Sequence, residues 1–251
     1  ATVGACTKKQ AASPAPAAEA PAPAGGDNAA AAGAAAKPGA LGEGTIKGTV
    51  KFTGTAPGPK VLTTPDPFCA RHPIKEEDLL VGAGGGLKNV IVRVVKGASG
   101  QYPVPATQAI VDQSGCLYRP RVQAVVAGQT VLIRNSDQTL HNVHTYRGAS
   151  TLFNQAQIPG MAPMSKTFSD GGQIIKFRCD VHPWMTGYVA VVDNPFFAVS
   201  GDDGTFSIAH LPPGQYTVEA WHERLGTKTA EVTVPEGATG AATADIAFAA
   251  P

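Results

Sequence analysis

Phe177-Arg178-Cys179-Asp180-Val181-His182-Pro183-Trp184-Met185-Thr186-Gly187-Tyr188 sets a thiol, an imidazole and a thioether within seven residues, as Cys-x-x-His-x-x-Met. Strand-like runs flank it, Gln173 to Arg178 before and Tyr188 to Val192 after, so the three groups lie in a loop joining two strands. Soft sulfur with imidazole suits copper better than magnesium, calcium or manganese. Two His, one Cys and a weak axial Met make the donor set of a blue-copper electron-transfer site. The loop supplies three of those four groups, so a second His is expected elsewhere.

The candidate lies upstream, in Val131-Leu132-Ile133-Arg134-Asn135-Ser136-Asp137-Gln138-Thr139-Leu140-His141-Asn142-Val143. An apolar strand ends in a polar turn, and His141 opens the next strand. His144 is the rival, but three residues on in a strand it faces opposite to His141, which reads as a surface or supporting His. With both segments in view, roughly residues 100–193 resemble the cupredoxins, the family of plastocyanin, amicyanin and pseudoazurin. The tight loop with Pro183 after the His is most similar to amicyanin. The resemblance implies a Greek-key β-sandwich and one type 1 copper site with His141, Cys179, His182 and Met185 as ligands. It further implies that Asn142 steadies the Cys loop by hydrogen bonding. His182 is then the exposed ligand edge and electron port, with Pro183 and Trp184 on the docking surface.

Only 16% of residues are charged, and Gly (29) and Pro (21) are abundant, which reads as an all-β chain with a low-complexity part. Residues 85–193 carry ten Lys or Arg against five Asp or Glu, and residues 194–251 carry two against seven. A basic copper unit favours an acidic redox partner, such as a cytochrome or a membrane respiratory complex. No basic run interleaves with aromatics, so nucleic acid is not expected. No apolar run of eighteen residues occurs, so no membrane span is expected. The absence of Cys-x-x-Cys-His argues against a c-type haem. Six His leave too few for the further copper centre of an oxidase or nitrite reductase, so a carrier rather than an enzyme is expected.

Ala1-Thr2-Val3-Gly4-Ala5-Cys6 resembles the end of a bacterial lipoprotein signal, which makes Cys6 a lipidation candidate and implies a membrane anchor at the periplasmic or outer cell surface. Residues 7–44 are dominated by Ala, Pro and Gly and read as a disordered tether. Residues 45–99 open with the alternating strand Thr45 to Phe52 and include Pro67-Phe68-Cys69-Ala70-Arg71-His72, a second Cys-x-x-His without a Met or partner His. Cys69 and Cys116 are left over in an exported protein and suggest a disulfide. Gly82 to Gly86 lacks a following Lys-Ser/Thr and reads as a flexible connector, not a phosphate loop. Residues 147–168 read as a long loop whose Met161 and Met164 are packing residues or extra ligands.

Residues 194–251 change character. Gly204-Thr205-Phe206 and Leu211-Pro212-Pro213-Gly214-Gln215-Tyr216 resemble the small transthyretin-like β-sandwich of carboxypeptidase regulatory domains, a packing or docking unit without catalysis. The Thr45 to Phe52 strand resembles the opening strand of the same module, which would insert the cupredoxin between its two parts. The expected function is a membrane-tethered electron carrier of the bacterial envelope. The alternatives are a copper-delivery protein and a structural envelope lipoprotein.

Overall fold

Two runs, Val90 to Val95 and Tyr188 to Val192, are apolar at nearly every position, where a strand with one wet face would alternate. Both faces of each are covered in the fold, except at the exposed Val95 that ends the first run. The computed structural model describes residues 1–2, 37–237 and 241–250. The Cys6 lipidation candidate and residues 7–36 of the expected tether lie outside them. Residues 37–44 are held to the fold instead, because the Gly39 amide donates to the Gln101 carbonyl, the Gly42 amide to the His210 carbonyl, and Gly44 opens the first strand.

The first part of the described chain forms β1 (Gly44–Thr53), a small hairpin of β2 (Val61–Leu62) and β3 (Ile74–Lys75), and β4 (Ile91–Lys96). Nine strands follow: β5 (Ala109–Gln113), β6 (Tyr118–Arg119), β7 (Val122–Val126), β8 (Thr130–Asn135), β9 (His141–Arg147), β10 (Ser150–Gln157), β11 (Met164–Thr167), β12 (Gln173–Arg178) and β13 (Thr186–Val192). The last part holds β14 (Phe197–Val199), β15 (Thr205–Leu211), β16 (Gly214–His222), β17 (Gly226–Val234), β18 (Ala241–Thr243) and β19 (Ile246–Ala249). The helical residues described are two short 3-10 turns, Cys69–Arg71 and Ala83–Gly85.

The ends of the chain pair with each other. β1 lies antiparallel to β15 and parallel to β18 and β19, and β4 lies between β14 and β16, with β17 outside. These two sheets enclose one core, including Ile46, Val50, Val92, Phe206, Val218 and Phe248. Between β4 and β14 the chain builds an inner sandwich from the sheets β10-β9-β12-β13-β7 and β11-β8-β5-β6. Its core holds Val111, Ile133, Val143, Ile175, Phe177 and Val189.

A third cluster seams the two sandwiches, with Ile91, Val122, Val126, Ala190 and Val192 buried and Tyr188 and Trp221 against them. Val92 and Val94 thus face one core while Ile91 faces the seam. On β13, Val189 and Val191 face the inner core while Ala190 and Val192 face the seam. That double burial is why neither run alternates.

Two expectations about loops change. The stretch 147–168 contains β10, paired along β9 from Ser150↔Arg147 to Gln157↔His141, and β11, paired with β8. Gly82 to Gly86 is a packed turn rather than a free connector: a Cβ on Gly82 would lie 2.1 Å from the Asp202 carbonyl oxygen, and one on Gly86 2.1 Å from that of Asp203. Glycine is required there for close backbone approach.

Candidate metal centre

His141 opens β9, and Cys179, His182 and Met185 lie in the turn from β12 to β13. The β9–β12 pairing brings the two segments together, matching Arg178 with His144. The turn is closed by its own backbone: the Cys179 amide donates to the Met185 carbonyl at 3.1 Å and the Met185 amide to the His182 carbonyl at 2.9 Å. Tyr118, fully buried, shares its one hydroxyl proton between the carbonyls of Asn142 (2.8 Å) and Arg178 (3.1 Å), tying β9 to the end of β12.

A nitrogen from each of His141 and His182 and the sulfur of Cys179 lie within 4.8 Å of one another. The two Nδ1 atoms are 2.9 Å apart, and the His182 Nδ1 is 3.9 Å from the Cys179 sulfur. His141, Cys179 and Met185 are 0% exposed, and Met185 shares a cluster with Cys179. Each imidazole presents Nδ1 inward while its Nε2 meets a carboxylate: His141 meets Asp137 at 2.9 Å, and His182 meets Asp66 at 3.1 Å. Two imidazole lone pairs, a thiol and a nearby thioether in a dry pocket fit a soft or borderline metal ion such as copper.

The electrostatics prepare the thiolate. Burial pushes the Cys179 thiol up, but hydrogen bonds from His141 and the amides of Asn142, His182 and Val181 outweigh it and hold the pKa below the ordinary value. The Asn142 amide donates to the sulfur at 3.4 Å. Burial pushes His141 down, yet Asp137 and Cys179 together raise it. Burial lowers His182, against an opposing pull from Asp66.

Asn142 grips the loop: its side-chain oxygen accepts the Asp180 amide at 2.6 Å, and its Nδ2 donates to Asn154 (2.7 Å) and Asp180 (3.0 Å). His144 points away from the cluster. Its ring stacks on Tyr146 at 4.1 Å and lies within hydrogen-bond distance of Asp180 and Thr151.

Cys69 and Cys116 form a disulfide, so the Cys69–His72 spacing is no ligand pair, and His72 is exposed. Met161 is exposed, and Met164 packs at the edge of the inner core.

One expectation is overturned. The His182 edge is not exposed: the residue is 2% accessible. The loop between β2 and β3 lies over it, bringing Asp66 to Nε2 and the Cys69 sulfur to 3.6 Å from the same atom, while the Trp184 ring stands 5.0 Å from the imidazole. Pro183 stays exposed and Trp184 is half-buried. The covering loop comes from more than a hundred residues upstream, outside the stretch that carries the sequence resemblance.

Sequence reading missed Asp66 and Asp137. Asp137 had a signal: an acidic residue in the polar turn four positions before His141. Asp66 had none, because its contact spans 116 residues.

No protein-family model matches the chain, and no curated protein matches its sequence. Among solved structures, a purple cupredoxin from Nitrosopumilus maritimus is 26% identical over 34% of this chain and 98% of its own, with a TM-score of 0.29. Amicyanin from Paracoccus versutus is 24% identical over 40% of this chain and 96% of its own, at a TM-score of 0.31. A copper-containing nitrite reductase from Thermus scotoductus is 23% identical over 41% of this chain but only 25% of its own, also at 0.31.

Proposed function

We propose that this protein is a single-electron carrier holding one copper ion with His141, Cys179, His182 and Met185. The observation that supports this best is the convergence of two buried imidazole nitrogens and one buried sulfur within 4.8 Å. Copper in a thiolate–imidazole set supplies a one-electron couple between its +1 and +2 states. The chain's residues do the rest. Asp137 and Asp66 fix the ring orientations, and Asn142 and Tyr118 fix the loop and its neighbouring strand. A donor set held this way needs little rearrangement between oxidation states, and burial keeps water from competing for the metal.

The basic stretch 85–193 steers the carrier toward an acidic redox protein, such as a cytochrome or membrane respiratory complex. Lipidation at Cys6 anchors it to a membrane at the periplasmic or outer cell surface, and residues 7–36 act as the tether. The outer sandwich, similar to carboxypeptidase regulatory domains, serves packing or docking. No catalysis is assigned to any part.

The test is a Cu(II) titration of the purified chain followed by visible absorption and paramagnetic resonance. An intense band toward the red with narrow copper hyperfine splitting is expected. A colourless protein that binds one Cu(I) would move the assignment to copper delivery. Failure to bind copper would leave a structural envelope protein.

A further inference from the structure

The hairpin β2–β3 and the loop it carries form a strap outside the two inner sheets. Leu62 and Ile74 pair at its neck, and Leu62, Phe68, Cys69 and Ile74 lie against the inner core. The disulfide joins its Cys69 to Cys116 on the inner sandwich. At its tip Asp66 is fully engaged. Oδ1 accepts the amides of Phe68 (2.8 Å) and Cys69 (2.9 Å), while Oδ2 accepts the Thr139 hydroxyl (2.9 Å) and faces His182 Nε2 (3.1 Å). With four partners the carboxylate has no freedom to rotate.

We propose that Asp66 is a positioning residue for the metal site, holding His182 in the tautomer whose Nδ1 lone pair faces the other donors and sealing the Nε2 edge from solvent. The proposal rests on the copper reading for its purpose but not for its geometry. A neutral imidazole carries its proton on one nitrogen only. An acceptor fixed at Nε2 therefore puts the proton there and leaves Nδ1 bare. The competing contacts are His141 Nδ1 at 2.9 Å and the Cys179 sulfur at 3.9 Å from the His182 Nδ1, and the Cys69 sulfur, 3.6 Å from Nε2, is a far weaker acceptor than the Asp66 carboxylate.

The same covalent unit reaches the second ligand. The Cys116 amide donates to Asp137 Oδ2 at 2.8 Å, and that oxygen faces His141 Nε2. The Cys116 carbonyl accepts the Trp184 indole N–H at 3.0 Å. One disulfide thus ties together the two carboxylates that orient the two imidazoles. Carboxylate partners of this kind set tautomer and ring orientation in metal sites generally.

The test uses the full chain without metal, labelled with nitrogen-15 in histidine, at about pH 8, where an ordinary imidazole is neutral. The His182 ring should show its proton on Nε2, exchanging slowly with water. Asp66→Asn is isosteric. Its side-chain oxygen keeps the Phe68 and Cys69 amides, which turns the NH2 group toward His182. The tautomer should invert to Nδ1–H, and copper affinity should fall about 10–100-fold.

His182 as Nδ1–H in the parent chain would overturn the proposal, whether or not the variant folds. So would the same tautomer in parent and variant. If the parent binds no copper, the copper reading fails while the tautomer measurement still decides the role of Asp66.

Discussion

Cys179 is fully buried, yet its thiol sits below the ordinary pKa because His141 and three backbone amides favour the thiolate. Removing the sulfur should remove the colour and leave the fold, since β12 and β13 are held by their own ladder. Cys179→Ala is expected to lose the intense visible band on adding Cu(II), with an unchanged far-ultraviolet dichroism spectrum. A variant that keeps the band removes Cys179 from the ligand set. Asp137 makes a different claim. Its carboxylate faces His141 and accepts the amides of Gly115 (2.7 Å) and Cys116 (2.8 Å), so under the proposed copper site it orients an imidazole without itself binding the metal. Asp137→Ala should weaken copper binding about 10–100-fold in a chelator competition while the band persists at saturation. The four candidate donors could be picked out because loop spacing and residue type carry the chemistry, and three of them, His141, Cys179 and His182, converge in the fold. The carboxylates beside the two imidazoles were harder to see: Asp137 was marked only by its place in the polar turn before His141, and Asp66 is remote in sequence.

Elements were legible where burial writes a pattern and illegible where it does not. β10 is exposed at nearly every position, so no alternation marks it, and only its register with β9 makes it a strand. The strap's place over His182 is equally hidden: the Cys69–Cys116 pairing was expected, but nothing in it says that Asp66 meets the imidazole. The turn between β16 and β17 shows how an unmarked loop can matter. Glu223 there accepts Nε of Arg121 at 2.6 Å and Nη2 at 2.8 Å, and Arg121 also donates to the Thr186 carbonyl at 3.2 Å. Both side chains are under a tenth exposed, so the pair cannot be dismissed as a surface ion pair. It links β16–β17 to the segment entering β7, across the seam. Glu223→Ala leaves a buried guanidinium without its counter-charge and should cost about 3–5 kcal/mol in urea unfolding. Arg121→Met with Glu223→Leu should recover most of that loss, because an apolar pair carries no desolvation penalty. If the double variant is no more stable than the single, packing rather than charge governs the seam.

In the whole molecule, the outer sandwich is made from both ends of the described chain, with the inner one inserted between β4 and β14. The alternation of Thr45 to Phe52 marks β1 as a strand, but its partners β15, β18 and β19 lie too far along the chain for alternation to name them. The seam itself was not legible, since a continuous apolar run does not say what covers each face. Stability of the two units should therefore be coupled through the seam, and His222 offers a probe of that coupling. It ends β16, is 2% exposed, and its Nδ1 accepts the Arg224 amide at 3.2 Å. Burial first, then the guanidiniums of Arg121 and Arg224, bring its pKa down to about 4, with Asp78 opposing weakly. The unfolded chain titrates near the ordinary value of 6.5. Between those values the unfolded state binds the extra proton, so stability rises with pH through this window. It is complete above about 6.5 and falls as the solution is acidified toward 4, by on the order of 3 kcal/mol. Carboxylates also titrate near the lower limit, so the informative quantity is a difference between two proteins. Urea midpoints of the parent chain and His222→Gln, measured from pH 7 to pH 4, should converge on acidification, because the variant has no imidazole to protonate. If the inner and outer units unfold together, visible absorption of the copper form and tryptophan fluorescence should report the same midpoint at each pH. Parallel curves for the two proteins would show that His222 is not held neutral in the fold, and separate midpoints for the two probes would show that the seam does not couple the sandwiches.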